Sequence, residues 1–108
     1  MDEEVVEAIK KIRTKLIIVE GRRDKAALAK LGCQRVVTLE HKALYEVVEA
    51  VGEKEIVLMT DLDREGRKLY ACLKDAFSKR GIRVDDKLRL ILFRLKISHI
   101  ESLDKHLA

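Results

Sequence analysis

The stretch EIVLMTDLDREGRKLYACLKDAFSKRG, residues 55–81, carries the pattern that decides the fold. Its first six residues are mostly apolar and β-branched, which is typical of a buried strand. Apolar residues then recur at helical spacing within residues 64–80, at Leu69, Leu73, Ala76 and Phe77. Gly81 is a suitable residue to end this helix. The stretch therefore predicts a strand, a polar loop and a helix, in that order.

The same order repeats along the chain. Further strands are predicted over residues 15–20, 35–39 and 88–93, and further helices over residues 2–13, 23–31, 42–51 and 98–107. Strands and helices that alternate in this way form βαβ units, with parallel strands covered by helices. We predict a single α/β domain over residues 1–108 with a four-stranded parallel sheet. Its core covers about residues 14–95, with an N-terminal helix before it and a C-terminal helical tail after it.

Composition narrows the class of protein. The 108 residues include 23 Lys and Arg against 19 Asp and Glu, and the net charge of +4 favours an anionic partner. The longest apolar runs, such as residues 16–19 and 56–59, are far too short to span a membrane. The acidic N-terminus lacks the pattern of a signal peptide. We expect a cytoplasmic protein without a membrane partner.

Acidic side chains follow two strands of the predicted sheet. Glu20 follows the first strand, and Asp61 and Asp63 follow the third. Ligands of open parallel sheets bind outside the carboxyl ends of the strands, and carboxylate oxygens suit Mg²⁺. Cationic residues that could hold phosphate stand beside them, at Arg22, Arg23, Lys25, Arg64, Arg67 and Lys68.

These acids also have a purely structural interpretation. Asp63 is well placed as the N-cap of the following helix, and Glu65 is a first-turn acid that the helix dipole favours. His41 follows the second strand, where it is either a phosphate contact or a surface loop residue. Spacing alone leaves both interpretations open.

Two motifs resemble those of a known family. Val19-Glu-Gly-Arg-Arg-Asp24 and Thr60-Asp-Leu-Asp-Arg-Glu-Gly66 resemble the paired motifs of the Toprim domain. That domain is shared by type IA and type II topoisomerases, bacterial-type primases, OLD-family nucleases and the ribonuclease that matures 5S ribosomal RNA. The resemblance covers roughly residues 14–95, and it implies a compact Rossmann-type fold with a four-stranded parallel sheet.

The resemblance also implies roles for single residues. Glu20 matches the family's general acid or base and is expected to join the metal site. Asp61 and Asp63 match the acidic pair that coordinates Mg²⁺, and Glu65 matches a third acid that supports metal binding. Asp24 matches an acid often found four residues after the glutamate. Where many members have a small or glycine-containing loop, this chain has Glu40-His41-Lys42.

Three functional hypotheses follow. The first is a small stand-alone Toprim protein, a Mg²⁺-dependent nuclease or phosphotransfer enzyme that acts on structured RNA or DNA. The second is a nucleic-acid-binding module, or a subunit of a larger nucleic-acid-processing complex, without turnover. Because aromatic residues make up only 4% of the chain, its contacts would be mostly to phosphate. The third, a response-regulator phosphoacceptor, requires an acid pair after the first strand, where this chain has Glu20 alone.

The C-terminal stretch, residues 94–108, is basic and then amphipathic. Its apolar residues Ile97, Ile100 and Leu103 are expected to pack on the sheet or to form a homodimer contact. His99 and His106 are interpreted as surface residues, because two histidines with no third ligand do not make a metal site.

Overall fold

The computed structural model describes residues 3–103. Five α-helices and four strands alternate along them, and a 3₁₀ turn follows. The helices are α1 (Glu3–Ile12), α2 (Arg22–Lys30), α3 (Leu44–Ala50), α4 (Arg64–Lys79) and α5 (Lys87–Arg94). The strands are β1 (Leu16–Val19), β2 (Arg35–Thr38), β3 (Glu55–Met59) and β4 (Arg83–Asp85), and the 3₁₀ turn is Ile100–Ser102.

The four strands form one parallel sheet in the order β2-β1-β3-β4. Strand β1 lies at the centre, where Ile17 pairs with Val36 of β2 on one side and with Val57 of β3 on the other. This arrangement confirms the predicted α/β class and the four-stranded parallel sheet. It also places the carboxyl ends of β1 and β3 side by side.

Helices cover both faces of the sheet, which accounts for the nearly continuous apolar sequences of β1 and β3. Successive side chains of a strand point to opposite faces. Ile17 and Val57 accordingly belong to the core beneath α1 and α5, while Ile18 and Leu58 belong to the core beneath α3 and α4.

The prediction of a strand over residues 88–93 is wrong. That segment is helix α5, and the fourth strand is Arg83–Asp85. In α5 the residues Leu88, Ile91 and Leu92 are buried while Leu90 and Phe93 are exposed, which is the pattern of one buried helix face. A short apolar run of this kind fits a strand or a helix equally well when only its sequence is known.

The segment after α5 completes the core beneath α1. Ile100 and Leu103 are fully buried there, and Ile97 packs against the same core. Ile100 and Leu103 are therefore not available for the homodimer contact expected as one alternative, since the chain buries them against itself. Of the helix predicted over residues 98–107, the described part holds the 3₁₀ turn followed by one α-helical residue, Leu103. His106 lies outside the described residues.

Among residues 3–103, no helix has the length and apolar character needed to cross a bilayer.

Candidate functional site

The carboxyl ends of β1 and β3 bring Glu20 and Asp61 together. Val19 pairs with Met59, so the next residues of both strands leave the sheet at the same edge. Oε2 of Glu20 accepts a hydrogen bond of 2.7 Å from the backbone nitrogen of Asp61. Burial raises the pKa of Glu20, and the nearby carboxylates of Asp61 and Asp63 raise it further, while the Asp61 N–H bond opposes this shift. Glu20 is thus a carboxyl group with an increased tendency to hold a proton.

The loop that follows β3 is folded tightly over the first turn of α4. Oδ1 of Asp63 accepts a hydrogen bond of 2.8 Å from the Gly66 nitrogen, which makes Asp63 the N-cap of the helix. The Thr60 hydroxyl donates to the Gly66 carbonyl at 2.7 Å. A Cβ on Gly66 would lie 2.0 Å from the carbonyl oxygen of Asp61, so only glycine allows this close approach.

A segment near the C-terminus is bound to the same loop by two hydrogen bonds. The Leu62 nitrogen donates to the Ser98 carbonyl at 2.7 Å, and the Ile100 nitrogen donates to Oδ1 of Asp61 at 2.9 Å. His99 lies between these two anchors. One ligand atom each from Asp61, Asp63 and His99 lie within 4.8 Å of one another, with Asp61 partly buried and the other two exposed.

His99 is the functional candidate that sequence reasoning missed. It is exposed, as expected for a surface histidine, but it lies beside two carboxylates from a distant part of the chain. No local spacing connects His99 with Asp61, since only the packing of the C-terminal segment brings them together. The argument that two histidines lack a third ligand did not consider Asp61 and Asp63 as partners.

The other predicted metal ligands lie outside this group of three. Glu20 contacts the Asp61 backbone and lines the adjacent cleft. Glu65 is exposed in the first turn of α4 and does not belong to the set of mutually close ligand atoms found among residues 3–103.

A cleft of about 400 Å³ opens beside Glu20 and Asp61. Arg22, Arg23 and Asp24 from the start of α2 line it, together with Glu40, His99 and Glu101. Both the acids of the sheet edge and the cations of α2 therefore face one space. An anionic group such as a phosphate would be held there between cationic side chains and the candidate metal ligands.

Asp24 is a buried acid that fixes the start of α2. Its Oδ2 accepts a hydrogen bond of 3.0 Å from the Gly21 nitrogen, and the residue is only 7% exposed. Burial raises the pKa of Asp24 to about 6, and the carboxylates of Asp61, Glu20 and Glu101 add to the shift, while the Gly21 N–H bond opposes it. Asp24 thus has a structural role at the helix start in addition to its place in the cleft.

Glu40, and not its neighbour His41, extends from the end of the second strand to the start of α2 at Gly21. Oε1 of Glu40 accepts a hydrogen bond of 3.2 Å from the Arg22 nitrogen, and its Oε2 lies 3.8 Å from Nε of Arg22. A Cβ on Gly21 would lie 2.7 Å from Oε1. His41 is exposed, has a φ of 59° and is not among the cleft-lining residues.

The predicted phosphate-binding cations are exposed around the site. Arg22 and Arg23 lie at the cleft, Lys25 follows on α2, and a second group lies on the first turns of α4. Arg22 lies near Glu40. Within the described part of the chain, the other five predicted phosphate-binding cations form no ion pair. These others are Arg23, Lys25, Arg64, Arg67 and Lys68.

Arg89 stabilises the loop after β3 that carries Asp61 and Asp63, which we call the acidic loop. It is 5% exposed, and its guanidinium donates to the carbonyl oxygens of Thr60 and Asp61, the second at 3.2 Å. It also stacks on the ring of Tyr70, 4.2 Å from the centroid. The sequence did not indicate this role, because Arg89 was assigned to a strand.

The donor set fits a divalent cation. Two carboxylates and an imidazole are ligands that Mn²⁺ and related ions accept, and Mg²⁺ is bound in proteins through one or two carboxylates with water and phosphate oxygens. Asp63 can bind a cation while it caps α4, because the cap uses only its Oδ1. No donor within residues 3–103 contacts its Oδ2.

The chain is similar to known proteins over most of its length. The model of the Toprim domain matches residues 15–95. A UPF0292 protein of Methanocaldococcus jannaschii is 36% identical over 106 residues, which cover 94% of this chain and 83% of that protein. A UPF0292 protein of Pyrococcus horikoshii is 40% identical over 75 residues, or 68% of this chain and 57% of that protein.

A solved structure of a protein from Aquifex aeolicus has the same fold. Its TM-score is 0.84 at 33% sequence identity, and the alignment covers 94% of this chain and 96% of that one. The family model spans both strand ends that carry Glu20 and Asp61. The chain therefore belongs to the Toprim domain family, and this membership indicates a function that depends on a divalent metal and involves nucleic acid.

Proposed function

We propose that this protein is a Mg²⁺-dependent nuclease of the Toprim type that acts on structured RNA or DNA. The observation that carries the proposal is the convergence of Asp61, Asp63 and His99 within 4.8 Å, beside the hydrogen-bonded Glu20. A divalent ion held there would polarise a phosphate oxygen and stabilise the charge on the leaving oxygen.

Glu20 is the proposed general acid or base. It lines the cleft, and its environment raises its pKa above the ordinary range of a carboxyl group. A carboxyl group with a raised pKa is better suited to exchange a proton near neutral pH. The bond from the Asp61 nitrogen to Oε2 fixes the side chain at the edge of the cleft.

The cations around the cleft would bind the nucleic-acid backbone. Arg23 lies in the cleft, and Arg64, Arg67 and Lys68 extend from the first turns of α4. The N-terminus of a helix carries a partial positive charge that also favours phosphate. Since contacts to phosphate carry no base identity, these residues would give affinity and a strong dependence on salt rather than sequence preference.

A cleavage assay tests the proposal. Purified protein is incubated with labelled single-stranded, duplex and hairpin forms of RNA and DNA, in Mg²⁺ or in EDTA. The variants are Glu20→Gln and the double substitution Asp61→Asn/Asp63→Asn. Glu49→Gln serves as the control, because Glu49 is an exposed acid on α3.

We expect cleavage that requires Mg²⁺, persists in the control and is lost in the double variant. Glu20→Gln should reduce the rate by roughly 10²- to 10⁴-fold, the usual contribution of a general acid or base. Full activity of Glu20→Gln would show that Glu20 is not the general acid or base.

The exposed cations favour one alternative, a binding module or complex subunit without turnover. Salt-sensitive binding of nucleic acid without metal-dependent cleavage would support this alternative and contradict the nuclease proposal.

A further inference from the structure

An apolar surface lies next to the candidate metal site. It consists of Leu90 and Phe93 on α5 and Leu62 in the loop after β3, and we call it the apolar platform. Leu90 is 62% exposed and Phe93 is 59% exposed. Exposed apolar residues are informative where they form a contiguous patch of this kind. Two grooves, of about 360 and 450 Å³, flank the ring of Phe93, and Leu62 lines both of them.

The platform is directly connected to the acidic loop. Leu62 is the residue between Asp61 and Asp63, and its backbone nitrogen is bound to Ser98. Leu62 lines both grooves and its neighbour Asp61 lines the cleft, so the platform and the cleft are one residue of backbone apart. This adjacency makes the platform part of the same binding region.

The rim of the platform is cationic. The two grooves are lined by five cationic residues and a single carboxylate, Asp86. Lys74 lies 3.6 Å from Asp86, and Arg94 pairs with Glu4. No carboxylate among residues 3–103 pairs with the other two exposed cations, Arg67 and Lys96. The five are Arg67, Lys74, Arg89, Arg94 and Lys96.

This charge distribution selects among the possible occupants. A second copy of the chain packed through the same face would bring two cationic rims together, which is unfavourable. A nucleic-acid strand supplies phosphates for the cations and planar apolar ring faces for Phe93. Inside a duplex the ring faces are covered by neighbouring base pairs, so away from the duplex ends only an unpaired base can stack on Phe93.

We propose that the apolar platform binds an unpaired nucleobase of the nucleic acid whose phosphate occupies the site at Asp61 and Asp63. This inference rests on the proposed function and specifies its substrate class as a strand with at least one unpaired base near the scissile phosphate. It adds a base contact to the contacts with phosphate that the low aromatic content of the chain predicts. One exposed aromatic ring beside the site is enough for one base, whatever the aromatic content of the whole chain.

Tryptophan substitution provides a direct optical test, because the natural chain contains no Trp. In Phe93→Trp the indole preserves the stacking surface and reports contact with a base by fluorescence quenching. The matched control is Tyr45→Trp, since Tyr45 is a 66% exposed aromatic residue on α3. Titrations use a single-stranded oligonucleotide and a blunt duplex of the same sequence, in Ca²⁺ so that a cation can hold the phosphate at the carboxylates. Gel analysis after each titration checks that the strands are intact.

We expect saturable quenching of Phe93→Trp by the single strand, and little by the duplex or in Tyr45→Trp. In a second experiment Phe93→Ala should weaken single-strand binding by roughly five- to a hundred-fold. This range corresponds to ~1–3 kcal/mol for a stacked base at about 1.4 kcal/mol per tenfold. Duplex binding by Phe93→Ala and both affinities of Tyr45→Ala should stay unchanged.

The platform proposal fails if Phe93→Trp is not quenched by the single strand, or if Phe93→Ala weakens both forms equally. It also fails if sedimentation shows a dimer that Phe93→Ala converts to a monomer, since the face would then be covered by a second copy. Because these readouts do not involve cleavage, they separate the two proposals. Cleavage without quenching would leave the nuclease proposal intact, and quenching without cleavage would leave the platform intact.

Discussion

The backbone nitrogen of Ile100 donates a hydrogen bond of 2.9 Å to Oδ1 of Asp61. Ile100 is itself fully buried in the core beneath α1, so this bond connects the core directly to the acidic loop. The orientation of one Asp61 oxygen is thereby set by a residue 39 positions further along the chain. The same connection holds His99 beside the carboxylates.

His99→Ala should change the metal preference of the site more than its ability to bind a cation. Mn²⁺ accepts an imidazole nitrogen more readily than Mg²⁺ does, because Mg²⁺ is a harder cation that prefers oxygen ligands. We expect Mn²⁺ affinity to fall roughly tenfold, by analogy with losses measured for substitutions around metal sites. Mg²⁺ affinity should change much less. Calorimetric titration with each ion, without nucleic acid, measures both values.

The control for this comparison is His41→Ala, because His41 is exposed and does not belong to the candidate ligand group. No loss of either affinity in His99→Ala would contradict a role for the imidazole as a ligand, and an equal loss of both would contradict the predicted change in metal preference.

Gly66→Ala should destabilise the protein and weaken metal binding. The new Cβ would meet the Asp61 carbonyl oxygen at 2.0 Å and its carbon at 2.5 Å, so the backbone of the loop must shift. We expect a loss of about 1–3 kcal/mol in the free energy of unfolding, the usual cost of overpacking. Urea denaturation and a Mn²⁺ titration of the folded variant measure the two effects.

Gly52→Ala is the matched control, because nothing lies within 4 Å of the Cβ it would introduce. We expect it to change stability by less than about 0.5 kcal/mol. If the two alanine variants were equally stable, the close approach of Gly66 to Asp61 would not contribute to the free energy of unfolding.

Asp24→Asn should remove a pH dependence of stability. The folded protein raises the pKa of Asp24 from 3.8 to about 6, so between these values it binds a proton that the unfolded chain has released. Stability therefore falls as the pH rises through this window. A shift of this size corresponds to about 3 kcal/mol at most. Asparagine keeps an oxygen acceptor for the Gly21 nitrogen and does not ionise.

Urea denaturation in EDTA at pH 4 and at pH 7.5 tests this. Asp24→Asn should gain stability relative to the natural protein at pH 7.5 but not at pH 4. Asp75→Asn, at an exposed position on α4, should show no such pH-dependent gain. The same difference at both pH values would mean that Asp24 does not titrate in this window.

Arg89→Met should alter the acidic loop without replacing any candidate metal ligand. The substitution leaves the carbonyl oxygens of Thr60 and Asp61 without their guanidinium donor and removes the stack on Tyr70. Loss of a buried hydrogen-bond partner costs ~1–3 kcal/mol per group left unsatisfied. We expect reduced stability and weaker Mn²⁺ binding in the remaining folded protein.

Arg35→Met provides the comparison, since Arg35 forms an exposed ion pair with Glu53. Such pairs contribute about 0–1 kcal/mol. Unchanged Mn²⁺ affinity in a folded Arg89→Met variant would show that Arg89 stabilises the core without positioning Asp61.

Much of the architecture could be predicted from local patterns. The strands that became β1, β2 and β3 were predicted within a residue or two, because each is a short apolar run between a helix and a polar loop. The long helix α4, its Asp63 cap and the need for glycine at position 66 are also local features. The fourth strand could not be identified in this way, since its three residues pair only at the sheet edge and the stronger apolar run lies in α5.

The sequence by itself determined the order of the elements, the parallel sheet and the acids at the ends of β1 and β3, because these follow from periodicity and from motifs within short segments. Only the tertiary structure decided that His99 joins Asp61 and Asp63, that Arg89 supports their loop, and that Phe93 remains exposed beside them. The physical reason is that these contacts join segments far apart in the chain. Their geometry depends on how α5 and the C-terminal turn pack on the sheet, which no local spacing encodes.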